Sequence, residues 1–266
     1  MHGSHLNRRL RMVAAGLVLL PLAAAAESSP EAAEWLKKVA AIYERTPLTA
    51  DLAMEMAAAP TMPLSGTASG RLVVGDATHM RMEMVFEMSG AEGQGGMKLN
   101  ILSVNDGTTM WNEVDMGMGK QVTKLARADA DAMAQQSPFG VNMGAGGMDP
   151  VSQVEQLGKL FDFEVVDAAG GEVTLRGELS EESRQTMGSQ AAAAGFEAVT
   201  LVLDAKNGFP VRVMIGGAEP VITVRFANLK FVPKSELPAG AFQYTPPEGA
   251  PVIDAAAMMK RQGGGG

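Results

Sequence analysis

The chain has 266 residues, 46% of them hydrophobic and 20% charged, with 30 acidic against 22 basic side chains and a net charge of −8. That is enough apolar material for one sizeable core, and an acidic chain without a basic cluster repels nucleic acid and anionic membrane surfaces, which excludes nucleic acid as a partner. Cysteine is absent, so no disulfide, thiolate nucleophile, thiolate metal ligand or cysteine-linked lipid is available.

Chain order begins with an export signal. Arg8, Arg9 and Arg11 precede an apolar run over residues 12–26, and Ala24 and Ala26 form an A-x-A site with cleavage expected before Glu27. The run contains Pro21 and falls short of the roughly 20 residues a membrane span requires. Residues 1–26 are therefore expected to be removed on delivery to the periplasm. Their loss takes away three arginines and no acid, deepening the net charge from −8 to −11.

An amphipathic helix follows. Ser29 caps it, Pro30 occupies its first turn, and Trp35, Leu36, Val39, Ile42 and Tyr43 form one apolar face before Pro47 ends it. Strands are then expected at 49–57, 66–74, 79–88, 97–105, 108–116 and 120–125, with Asn105-Asp106-Gly107 as a hairpin turn. Residues 127–136 read as helix, 137–149 as a glycine-rich loop, and 150–161 as a second helix with Val151, Val154, Leu157, Leu160 and Phe161 on one side. Strands resume at 163–167 and 172–179. A polar, alanine-rich excursion covers 181–195, and further strands fall at 196–204, 210–216 and 220–232. Asn207-Gly208 marks another hairpin. In the last strand the apolar phase slips from Ile222, Val224 and Phe226 to Leu229 and Phe231, which predicts a bulge near Ala227-Asn228. Residues 258–266 are low in complexity and expected to be disordered.

About ten strands in hairpin order, with an early helix and helical insertions, give an α+β, mainly β class. A twisted antiparallel sheet of that length must curl, and its helices then fill the concave side: an open half-barrel with a helical lid or plug over residues 27–257.

The strand at 79–88 is the most informative. Period two divides it into His79, Arg81, Glu83, Val85 and Glu87 on one face and Met80, Met82, Met84, Phe86 and Met88 on the other. Met54 and Met56 share a face of the first strand, and Met110, Val114, Met116 and Met118 a face of another, with Asn112 among them. Methionine has three rotatable bonds and a polarizable sulfur, so a methionine wall adapts to flexible acyl chains where a β-branched wall fits one fixed shape. The expected lipid-binding set is Met54, Met56, Met82, Met84, Phe86, Met88, Met110 and Trp111. Two other readings stand beside it: methionine standing in for leucine in an ordinary core, and soft thioether ligation of Cu(I). The spread of i, i+2 methionines over a wide face, with the single histidine of the mature chain (His79) on the opposite face, argues against a metal. No cofactor and no catalytic residue is expected, because one histidine and no cysteine leave little for acid–base or nucleophilic chemistry.

The C-terminal stretch LVLDAKNGFPVRVMIGG, with FQYTPPEGAPVID over Phe242–Asp254, resembles the end of the LolA family of periplasmic lipoprotein carriers, and VNDGTTMW over 104–111 resembles that family's strand–DG–strand segment. The resemblance implies an open β-barrel with a helical lid and an apolar cavity for acyl chains. It also implies lipoprotein or lipid cargo, an inner-membrane transporter complex and an outer-membrane receptor. Where the family has an Arg-Pro pair this chain has Asp76-Ala77, with Arg81 nearby; Asp76 and Arg81 are the expected polar rim. The alternative function on the same fold is a lipid sensor that signals to a partner.

Overall fold

The computed structural model describes residues 28–45, 47–58, 65–89, 96–129, 154, 157–186, 196–217 and 219–258. Helix α1 (Pro30–Arg45) begins at Ser29, whose Oγ accepts the Ala32 amide N–H at 3.2 Å. The strands are β1 (Leu48–Met56), β2 (Ser65–Asp76), β3 (His79–Ser89), β4 (Met97–Asp106), β5 (Thr109–Asp115), β6 (Lys120–Ala126), β7 (Phe161–Ala169), β8 (Glu172–Leu179), β9 (Ala198–Asp204), β10 (Pro210–Gly216), β11 (Pro220–Phe231) and β12 (Val252–Asp254). All join one sheet, in the order β12-β6-β5-β4-β3-β2-β1-β11-β10-β9-β8-β7. The sheet is curled and unclosed, an open half-barrel.

The hairpin signals are where the sequence put them. Gly107 and Gly208 take φ values of +92° and +77°, a region that favours glycine. The phase slip in β11 is a bulge: Thr49 faces Lys230 while Asp51 faces Ala227. Asn228 sits in it at φ +51° and donates from Nδ2 to Asp51 at 2.7 Å.

Three expectations are corrected. Phe161 opens β7 and pairs with Leu179, instead of ending a helix. Met116 and Met118 lie beyond β5 in a turn with Gly117 at φ +78° and Gly119 at φ +143°; they are 42% and 92% exposed and line nothing. The sheet also has a twelfth strand, β12, paired in parallel with β6. Of the expected lid, residues 127–129, 154 and 157–160 are helical. The remainder of 127–136, the loop at 137–149, residues 150–153 and 155–156, the signal segment and residues 259–266 lie outside the described residues; Met258, the first residue of the expected tail, is helical and 51% exposed.

The core sits on the concave side. Leu36, Val39, Ile42 and Tyr43 of α1 pack with Leu48, Leu72, Val74, Met80, Phe163, Leu175, Leu203 and Phe209, and Val154, Leu157 and Leu160 pack against that cluster. At the β7 edge, Ser29 N–H donates to the Phe163 carbonyl at 2.8 Å and Phe163 N–H to Ser28 Oγ at 3.0 Å. These bonds occupy edge groups that would otherwise invite another strand.

Candidate lipid-binding face

Residues directly opposite in an antiparallel pair share a face, so the register fixes what lines each side. One row runs Met56–Gly66–Met88–Met97, the next Met54–Ala68–Phe86–Leu99, and the next Leu52–Gly70–Met84–Ile101–Val114. These rows form the concave face. Two further rows run Leu72–Met82–Ser103–Asn112–Thr123 and Val74–Met80–Asn105–Met110–Leu125. Followed across to Val213, Leu201, Leu175 and Phe163, the described concave face of the sheet carries no ionisable side chain. Aspartate, glutamate, lysine, arginine and histidine of the same strands point the other way or sit at strand ends.

Exposure changes along that face. Met80 and Met84 are 4% and 3% exposed, locked into the core near α1. Met54, Met82 and Phe86 are half-buried against the cluster, Met56 and Met88 are half-buried at the far end, and Met97 is 44% exposed. β2 contributes only small residues between the methionine strands. A Cβ on Gly70 would lie 2.6 Å from Met84 Sδ, and one on Gly66 2.6 Å from the Glu87 carbonyl oxygen. The result is a shallow apolar trough of half-buried side chains, Met54, Met56, Phe86 and Met88, over Gly66 and the buried Ala68, with Met84 Sδ filling the space above Gly70. Of the expected binding set, the structure brings these four together with Met82. Met84 is core. Met110 is 4% exposed in a separate cluster with Leu125, Ala255 and Ala256 at the β6 edge.

One corner of the concave face is polar yet uncharged. Ser103, Asn112 and Thr123 are cross-strand neighbours on β4–β6, and Asn105 lies one row on. Asn112 is 7% and Asn105 1% exposed. Asn105 Oδ1 accepts the Gly107 amide N–H at 3.1 Å, which fixes the orientation of its amide, and its buried Nδ2 has no acceptor. A buried donor left in that state costs about 1–3 kcal/mol.

The opposite face is held down by the chain's end. From β11 the segment returns along the outside to β12 and covers the β2–β6 strands. Phe242 stacks edge-on to His79 at 5.6 Å and occupies the space a side chain at Gly75 would need. The Tyr244 ring lies 5.4 Å from Trp111, and its hydroxyl donates to Glu113 Oε2 at 2.7 Å, while Lys120 Nζ holds Glu113 Oε1 at 2.8 Å. Burial, then the bond to Glu113 and its charge, push the Tyr244 phenol up. Trp111 Nε1 donates to Asp106 Oδ2 at 3.2 Å. Trp111 therefore does not share a surface with the methionines: it follows Met110 directly in β5, and adjacent strand residues face opposite ways. The two segments that carry the LolA resemblance, 104–111 and 242–254, thus dock on each other through Trp111 and Tyr244.

Asp76 and Arg81 do not form a rim. Asp76 is in the β2–β3 turn, where Oδ1 accepts from the Thr78 amide at 2.8 Å and the Thr78 hydroxyl at 2.7 Å and lies 2.9 Å from His79 Nδ1. Burial works to raise its carboxyl, but those hydrogen bonds outweigh it and hold the group at about 2. Arg81 is on the outer face, donating to Glu83 at 2.7 Å and to the Ala241 carbonyl at 3.4 Å, so it pins the C-terminal strap. Among the described residues no three or more of His, Asp and Glu come together as a metal site. An open hollow of about 440 Å³ lies on the outer face among Ser69, Arg71, Glu83, Asn100 and Glu113. Val85 and Leu102 also line it, so charged and apolar side chains alternate around this hollow.

Comparison by sequence finds no matching family model and no matching curated protein. Solved structures resemble this one in fold. An uncharacterized conserved protein from Thermus thermophilus is 13% identical, covers 84% of this chain and 99% of its own, and superposes with a TM-score of 0.44. LprF from Mycobacterium bovis is 14% identical, covers 85% and 100%, and gives 0.42. A LolA superfamily protein from Nitrosomonas europaea is 12% identical, covers 80% and 97%, and gives 0.33. Each is a likeness of strand arrangement, and what the face can do is decided by this chain's own residues. No helix among the described residues is long and apolar enough to cross a membrane.

Proposed function

We propose that this chain is a periplasmic, non-enzymatic carrier that binds acyl chains of lipoproteins or related lipids along its methionine trough and ferries them toward the outer membrane. The observation that carries the reading is the concave face: no ionisable side chain on the described strands there, small residues at Gly66, Ala68 and Gly70 of β2, and pliant thioethers on β1 and β3, of which Met54, Met56, Met82 and Met88 are only half-buried. A buried chain gains about 0.8 kcal/mol per CH₂, so a sixteen-carbon chain approaches roughly 12 kcal/mol relative to water. Such a ligand passes between apolar hosts without equilibrating with water. Methionine suits that exchange because it closes around irregular shapes without a single preferred geometry. An inner-membrane transporter complex that loads the trough and an outer-membrane receptor that empties it are the partners this role requires.

The test adds purified mature protein to inner-membrane spheroplasts and probes the supernatant for lipoprotein. Wild type is expected to release cargo, and Met88→Asp, which puts a charge in the open end of the trough, is expected not to. Wild type that binds free lipid yet releases no lipoprotein would overturn the carrier role.

A further inference from the structure

The geometry points to a modification site at the open end of the trough: we propose that Met56, Met88 and Met97 are oxidised to sulfoxides by a hypohalous acid, and that the oxidised row no longer holds an acyl chain. The inference rests on the acyl-binding reading and adds how that site is switched off.

The chain has 20 methionines and no cysteine, so no thiol consumes an oxidant before the thioethers do. Burial then sorts the thioethers. Met80, Met84 and Met110 are at most 4% exposed. Met97 is 44% exposed, Met88 faces it directly, and Met56 lies across Gly66 in the same row, both of them half-buried. Hypochlorous acid therefore reaches this row and not the core. The sulfur lone pair takes chlorine from the acid as hydroxide leaves. Water then adds to sulfur, chloride departs and the water protons go to solvent. Sulfur is oxidised and chlorine reduced by the same two electrons. The product is a strong hydrogen-bond acceptor in place of an apolar group. Its row runs Ile222–Met56–Gly66–Met88–Met97 and the next Val224–Met54–Ala68–Phe86–Leu99, so no side chain in either offers a donor. In the empty trough water supplies that donor. A bound acyl chain expels the water and leaves the S=O group unpaired, so the penalty falls on binding and not on the fold. Met116, Met118 and Met258 are 42%, 92% and 51% exposed and belong to neither row, so their oxidation carries no such consequence.

The experiment treats the mature protein with stepwise equivalents of hypochlorous acid, quenches with free methionine, and maps the added oxygen by peptide mass spectrometry. Binding of N-phenyl-1-naphthylamine, a neutral apolar dye that fluoresces out of water, is then titrated. Dye affinity is expected to fall at least about tenfold as Met56, Met88 and Met97 gain oxygen, with the melting temperature little changed. Sulfoxide reductases of both epimer specificities are expected to restore it. The variant Met56→Leu/Met88→Leu/Met97→Leu is expected to bind the dye equally before and after oxidant, whereas Met116→Leu/Met118→Leu/Met258→Leu should respond as wild type does. If the first triple variant folds poorly, Met88→Leu alone is expected to give partial protection. Full dye affinity in wild type whose Met88 and Met97 are oxidised would overturn the modification site while leaving acyl binding intact. Affinity that stays low once the row is reduced again, or an equal loss in the first triple variant, would do the same. Absence of dye binding before any oxidant is added would overturn the acyl-binding reading and the switch with it.

Discussion

Strand β3 has two sides that obey different rules. On its outer side Arg81, Glu83 and Glu87 make ion pairs in water, with Glu83 held at 2.7 Å and Lys98 reaching Glu87 at 3.6 Å. On its inner side Met80 to Met88 touch only apolar or neutral groups of the neighbouring strands. Exposed ion pairs contribute about 0–1 kcal/mol each, so the outer side secures solubility more than stability. The inner side is itself divided. Met80 and Met84 are core, while Met82, Phe86 and Met88 are half-buried. A buried methionine and a half-exposed one therefore sit four residues apart on one face, Met84 and Met88.

That division can be broken most sharply with one charge placed at two points. Met84→Asp sets a carboxylate in the packed half, and several kcal/mol of stability should be lost, enough to unfold the domain. Met88→Asp sets the same group where water reaches it. The melting temperature should move by only a few degrees while binding of the apolar dye collapses. Calorimetry and dye titration on both variants read the contrast, and matching melts would erase it. A smaller effect is expected from Gly70→Ala: its methyl group would collide with the Glu83 carbonyl and crowd Met84 Sδ, costing about 1–3 kcal/mol in a urea titration. On the outer side, Tyr244→Phe removes the bond to Glu113 and should cost about 1 kcal/mol without changing dye affinity, since the strap lies across the sheet from the trough. The smallest expected effect is acid-specific. The Asp76 carboxyl titrates at about 2 in the folded protein, below its ordinary value, so its contribution is complete above about pH 4. That contribution is lost as pH falls toward 2. Asp76→Asn should flatten this limb of a stability–pH curve and leave the neutral region almost unchanged.

Much of the architecture could be read before any coordinates. Alternation in 79–88 gave both faces of β3, Asn105-Asp106-Gly107 and Asn207-Gly208 placed two turns, and the phase slip before Leu229 located the bulge. The misses have physical causes. Met116 and Met118 keep the parity of Met110, but Gly117 and Gly119 take the chain out of the strand after Asp115. Phe161 fits a helical spacing with Leu157 equally well as a strand spacing with Phe163, and only pairing with β8 decides it. β12 is three residues long in text rich in proline and glycine, and its partner lies more than a hundred residues away. Trp111 was within reach, since a residue next to Met110 cannot share its face. The polar corner was not. Asn112 stood out among methionines, but Ser103 and Thr123 join it only through the register of three strands.

The position of β1 sets a rule for assembly. It lies in the middle of the sheet, hydrogen-bonded on one side to β2 and on the other to β11, so Leu52 faces both Gly70 and Phe226. The first strand made is thus completed by nearly the last. Contacts this far apart in sequence carry a large loop-closure entropy and make folding slow. A chain emerging N-terminus first would hold β1 with one bare edge until residue 220 had followed, and the outer face uncovered until Tyr244 arrived. Closure of this sheet is deferred by its own topology until β11 is available to cover the second edge of β1.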